Sequence, residues 1–174
     1  MRRVMSLVVP TMSLLVWGLA LSASDALAQQ KPLKEQLIGT WTFVSAVATN
    51  KEGVKSSDRF GTNAKGLIIL EANGRYSFMI SRSDIPKFAV NNVNEGTAEE
   101  NKAVVRGIIA NFGTWSVDET TKTITTNVEA SSFPNLNGNS QKRVISSLTA
   151  DELRYTNPAG AAGTVDEAVW RRAK

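Results

Sequence analysis

Apolar residues in this chain recur mostly at every second position, in short runs separated by turn-forming clusters, and that alternation predicts β-strands. Residues 40–48 place Trp41, Phe43, Ser45 and Val47 on one face. A continuous apolar run at 67–70 is joined to an alternating run at 75–81 through Ala72-Asn73-Gly74, and Asn-Gly supplies the two positive-φ positions of a type I′ hairpin turn. The second run sets Tyr76, Phe78 and Ile80 on one face and Ser77, Met79 and Ser81 on the other. Further strands are predicted at 114–117, 123–129, 143–148, 153–156 and 165–171. Between the third and fourth strands the period changes. Val104, Val105, Ile108, Ile109 and Phe112 recur at helical spacing after Glu99 and Glu100, which predicts a helix over 97–111. Thr97 and Glu100 have capping-box spacing, and Gly113 lies just past the predicted end.

The pattern is therefore all-β: eight antiparallel strands with one inserted helix. Gly39-Thr40-Trp41 opens the first strand and Trp170-Arg171 closes the last, which favours an up-and-down barrel whose two ends meet. A barrel of about eight strands either fills with side chains or holds one small ligand. Residues 31–36 read as a polar lead-in of one helical turn that plugs one end. The polar segment 83–96 and the helix after it are expected to shape the entrance at the other.

The N-terminus changes the domain reading. Arg2 and Arg3 precede an apolar run that ends in Ser22-Ala23-Ser24 and Ala26-Leu27-Ala28, the pattern of a signal peptide over residues 1–28. Pro10, Gly18 and the short length argue against a membrane anchor, leaving residues 29–174 as one domain, exported to the periplasm or beyond, with no integral span after cleavage. The formal net charge of +4 is spread along the chain rather than clustered, so nucleic acid is not an expected partner. A monomer or weak dimer is expected. With no cysteine and no histidine, the chain can form no disulfide, thiolate nucleophile, Ser-His-Asp triad or imidazole metal site, and a lipid anchor on a processed cysteine is also excluded. No cofactor or metal is expected.

Five ordered blocks carry a family resemblance. Leu37-Ile38-Gly39-Thr40-Trp41, Gly66-Leu67-Ile68-Ile69 with Asn73-Gly74-Arg75, Gly113-Thr114-Trp115, Phe133-Pro134-Asn135 with Gly138, and Val169-Trp170-Arg171 together resemble the bacterial and fungal lipocalin-like domain family. The resemblance spans nearly all of residues 29–174 and implies a calycin-type barrel. It also implies that Gly39, Trp41, Trp170 and Arg171 are a structural signature, with Arg171 packed across Trp41. Wider lipocalin-like barrels bind small hydrophobic molecules, and a few similar barrels isomerise or cyclise. The family's histidine before a Val-Glu pair is absent; Thr126 and Asn127 stand before Val128 and Glu129, which weakens an enzymatic reading.

Tyr76, Phe78, Trp115, Thr126, Arg143 and Tyr155 are the candidate ligand-binding residues, and no catalytic residue is assigned. The aromatic members occupy strand positions able to line a cavity or simply fill it. Arg143, facing inward, would bind a carboxylate through its planar fork; an exposed position or a cross-strand pair with Glu129 is the favoured alternative. The expected function is non-catalytic binding of a small hydrophobic or amphipathic molecule. An isomerase or cyclase built on Tyr, Asp/Glu and Arg is one rival. A solid barrel that binds a protein partner of the cell envelope is the other.

Overall fold

In the computed structural model, which describes residues 31–57 and 60–174, helix α1 (Leu33–Leu37) leads into strands β1 (Gly39–Thr49), β2 (Lys55–Ser56), β3 (Lys65–Leu70) and β4 (Arg75–Ser81). Helix α2 (Ala98–Gly107) follows, then β5 (Ile108–Asp118), β6 (Thr123–Ser131), β7 (Ser140–Leu148), β8 (Glu152–Asn157) and β9 (Val165–Arg172). Sequential neighbours pair antiparallel from β3 to β9, and β1 pairs with both β3 and β9, so the sheet closes on itself. The two-residue β2 only extends the end of β1, which leaves the eight-stranded up-and-down barrel that the alternation predicts. The predicted signal peptide lies outside the described residues.

Strand direction makes the two ends unlike. Tight turns at 71–74, 119–122 and 149–151 gather at the end where α1 sits, and the long connections 50–64, 82–107, 132–139 and 158–164 gather at the other. The polar lead-in does form a plug. Leu37 and Trp41 are wholly buried, and the Trp41 indole donates to the Leu37 carbonyl at 2.9 Å. The first N–H groups of α1, at Leu33 and Lys34, have no intrahelical partner; they donate to the Glu119 carboxylate at 2.8 and 3.1 Å. Gly39 enters β1 at φ +131°, and the Arg172 guanidinium passes within 3.0 Å of where a Cβ would stand, so only glycine fits.

Four local expectations are corrected. The helix ends at Gly107, and Ile108, Ile109 and Phe112 belong to β5, where Ile109 faces Ile80 of β4 in register. Apolar residues spaced by one and four satisfy either period, and pairing with β4 decides for the strand. Gly113 accordingly lies inside β5, at a bulge against β6. A second bulge, at Val44, shifts the phase of β1: Trp41 and Phe43 face the core, but Ala46 takes the inward place expected of Ser45 and Val47. The β3–β4 hairpin is present, yet only Gly74 has positive φ, and its N–H donates to the Glu71 carbonyl at 3.0 Å. That geometry is the longer loop closed by a glycine bulge rather than a type I′ turn. The capping box of α2 is formed as predicted, Thr97 and Glu100 each accepting from the other's backbone.

Candidate functional site

Period-two alternation aims one side chain in two at the barrel axis. Along β8 these are Leu153, Tyr155 and Asn157; along β9 they are Asp166, Ala168, Trp170 and Arg172. At the plugged end they close tightly. Arg172 lies 4.0 Å above the Trp41 ring and donates to the carbonyls of Gln36 (2.6 Å), Ile38 (3.0 Å) and Ala150 (2.6 Å). The expected stacking residue, Arg171, is exposed and takes no part in this contact. Arg172 lies two positions after Trp170 and Arg171 only one, so the alternation itself selects Arg172.

Further up, Trp170 packs edge-on to Phe43 and Phe78, with ring centroids 5.2 and 5.8 Å apart, and lies nearly parallel to Tyr155 at 6.3 Å. Around this aromatic cluster the interior is hollow in two lobes. The mouth lobe, about 50 Å³, is bounded by Phe60, Ile80, Ile109 and Leu136. The deep lobe, about 30 Å³, rests on Ile68, Leu70, Ile124 and Leu153. Phe78, Asn111, Arg143 and Tyr155 line both lobes and form the waist between them. Each lobe has room for a few waters.

The waist is polar and internally ordered. Arg143 Nη1 donates to its neighbour's carbonyl, Lys142, at 2.8 Å and to Asn157 Oδ1 at 3.1 Å, and the guanidinium lies 5.8 Å from the Tyr155 ring centroid. The Tyr76 hydroxyl donates to Asn111 Oδ1 at 2.8 Å. Burial pushes the Tyr76 and Tyr155 phenols above their ordinary pKa; at Tyr76 the Thr126 hydroxyl and then the charge of Arg143 oppose this, and at Tyr155 the charge of Arg143 opposes it while the Asp166 carboxylate adds to it. The fully buried Trp170 indole N–H has no acceptor in hydrogen-bond geometry, although its dipole acts on the Tyr155 hydroxyl.

Tyr76, Phe78, Thr126, Arg143 and Tyr155 thus converge on the deep lobe, where the sequence pattern could not set their facing. Trp115 does not join them. It is buried outside both lobes, its indole donating to the Glu71 carbonyl of the β3–β4 turn at 3.0 Å. The favoured Arg143–Glu129 pair is also corrected. Glu129 faces out and accepts both terminal nitrogens of Arg75, which holds its carboxyl below the usual range, and Arg143 faces in. The entrance differs too: Phe60, Leu136 and Ala161, from the other three long connections, line the mouth lobe, and no residue of 83–96 or α2 does. Asn111 and Asn157 are polar members that the sequence reading missed, one inside the overlong helix and one in a presumed loop. Among the described residues, no group of three or more acidic side chains is placed to hold a metal.

The lipocalin-like domain model matches residues 38–173, almost the whole of the described barrel. The chain belongs to that lipocalin-like domain family. No curated protein matches it. Among solved structures it is similar to a lipocalin-like protein from Bacteroides uniformis ATCC 8492 (12% identity, covering 79% of this chain and 99% of that one, TM-score 0.44). A redesigned β-barrel aligns at 12% identity over 82% of this chain and 96% of its own, TM-score 0.43. A variant of the fluorescent protein UnaG aligns at 15% identity over 80% and 98%, TM-score 0.36.

Proposed function

We propose that this lipocalin-like chain is exported through a cleaved N-terminal signal and serves as a non-catalytic carrier of a small amphipathic molecule held in the barrel. The observation that carries this reading is the polar cluster at and beside the waist: an inward guanidinium, two buried tyrosine hydroxyls and two amides, with Gln141 and the Asp166 carboxylate in the mouth lobe, set among apolar and aromatic walls. Sites of this kind fix a ligand's orientation with a few polar groups set in a mostly apolar wall. Asp84, Glu100, Asp118 and Glu129 line neither lobe, and Asp166 is the single described carboxylate that does, so no pair of carboxylates for an isomerase or cyclase is brought together inside the barrel. The small volume of the lobes favours a compact ligand.

Native mass spectrometry of protein purified from the periplasm tests both parts. A mature mass beginning at Gln29 with a stoichiometric small-molecule adduct is expected. A bare mass, with no thermal shift against a panel of carboxylates, alcohols and fatty acids, would instead favour the solid-barrel reading. The outer face offers that alternative a surface, since Met79 and Phe112 are 42% and 46% exposed beside Leu67 and Ile69.

A further inference from the structure

Arg143 carries more than the carrier reading requires. Its two direct hydrogen bonds both leave from Nη1, and both acceptors are neutral: the Lys142 carbonyl and Asn157 Oδ1. Asn157, itself buried, also accepts from the Ala159 N–H, so the amide is fixed and in turn fixes the guanidinium. No carboxylate lies within ion-pair distance of Arg143 among the described residues. Arg75, Arg82 and Arg154, by contrast, each meet a carboxylate. A cation turned inward without a counter-ion is destabilising, and the penalty is relieved when an anion arrives. Among the described lining residues Arg143 is the only cation of either lobe and Asp166 the only carboxylate; Asp166 accepts from the Thr164 hydroxyl at 2.5 Å and makes no ion pair with Arg143.

We infer that the interior selects a compact monocarboxylate, its head on the free edge of the Arg143 guanidinium beside the Tyr155 hydroxyl and its apolar body in the mouth lobe. The inference rests on the carrier reading and narrows it to one ligand class. A single planar fork matches the two oxygens of a carboxylate and one negative charge; a phosphate dianion would call for a second cation or a nest of N–H donors. The body packs on Phe60, Phe78, Ile80, Ile109 and Leu136, which close around a volume too small for a long acyl chain.

The test titrates protein purified from the periplasm, and its Arg143→Met and Arg143→Lys variants, with benzoate and hexanoate against benzyl alcohol and hexanol, and with palmitate, by protein-observed NMR at neutral pH. The wild type is expected to bind the carboxylates about 10- to 100-fold more tightly than the matching alcohols. Arg143→Met should bring that ratio to near one while its amide spectrum keeps the dispersion of the wild type, which shows that the variant is folded, and Arg143→Lys should keep part of the ratio. Alcohols binding the wild type as tightly as carboxylates would overturn the inference and leave the carrier reading standing, as would a preference that survives Arg143→Met. Tighter binding of palmitate than of hexanoate would overturn the compact class. No binding by any compound would overturn the carrier reading and this inference with it.

Discussion

Two arginines of the same barrel, Arg172 at the plugged end and Arg143 at the waist, are put to opposite uses. Arg172 spends all three guanidinium nitrogens on backbone carbonyls and its face on Trp41, tying α1, the β7–β8 turn and the end of β9 together. Arg143 uses one nitrogen, and its partners are neutral. A guanidinium surrounded by otherwise unpaired carbonyls is a structural clamp, since removing it strands those acceptors. One held in place but not neutralised is a binding group. Residue type and inward facing are common to both; the number of committed donors separates them.

The largest effects should appear at the clamp. Trp41→Ala removes a fully buried indole and should destabilise the fold by about 3–5 kcal/mol in urea denaturation. Arg172→Met strands three carbonyls and should cost about 3 kcal/mol. Arg171→Met, one residue earlier and exposed, should change stability by less than about 0.5 kcal/mol. Equal losses at positions 171 and 172 would break the assignment of the clamp. Arg143→Met, by contrast, should leave the ligand-free fold unchanged or more stable by about 1 kcal/mol, because it removes a partly buried charge that has no counter-ion. A loss there as large as that of Arg172→Met would make Arg143 a second clamp and erase the distinction.

A spectroscopic measurement sharpens the same contrast. The sequence has two tyrosines, Tyr76 and Tyr155, and both line the deep lobe, so phenolate absorbance reports that lobe alone. Burial raises both pKa values above 10.0. The unfolded chain then ionises first, and between the ordinary and the raised value the folded state holds more protons. Stability should be undiminished below about pH 10 and fall as pH rises through the raised values. Because the charge of Arg143 lowers both phenols, Arg143→Met should push their titration still higher, and Arg172→Met should not move it. An ordinary midpoint for either tyrosine would place it in water rather than in the barrel.

How far this contrast could be read from sequence depends on which physical signal each residue leaves. Strand alternation and turn chemistry were enough for eight strands, the barrel and the α2 capping box, because each is a local pattern. Alternation also carried the clamp, Trp170 and Arg172 being two apart, but the family motif drew attention to Arg171. The facing of Arg143 needed the register of β7 against β6 and β8, which is long-range. Phase shifts were hidden as well: no residue type announces the bulge that turns Ala46 inward. Asn111 was obscured because the apolar spacing around it fits a helix as well as a strand.

A third arginine completes the series with the smallest effect. Arg75 meets Glu129 on the outer face through a two-nitrogen fork, but the two side chains are 43% and 48% exposed, so water and salt screen the pair. Arg75 holds the Glu129 carboxyl below its ordinary 4.5. A carboxylate with a lowered folded-state pKa adds stability above the ordinary value, and that contribution disappears as pH falls through the lowered one. Glu129→Gln should therefore flatten the acid limb of a stability-against-pH curve at low salt, and at 1 M salt, where the screening length is about 3 Å, the variant and wild type should coincide. If the difference persisted in high salt, this pair would be shielded from solvent and would belong with the clamp of Arg172 rather than at the exposed end of the comparison.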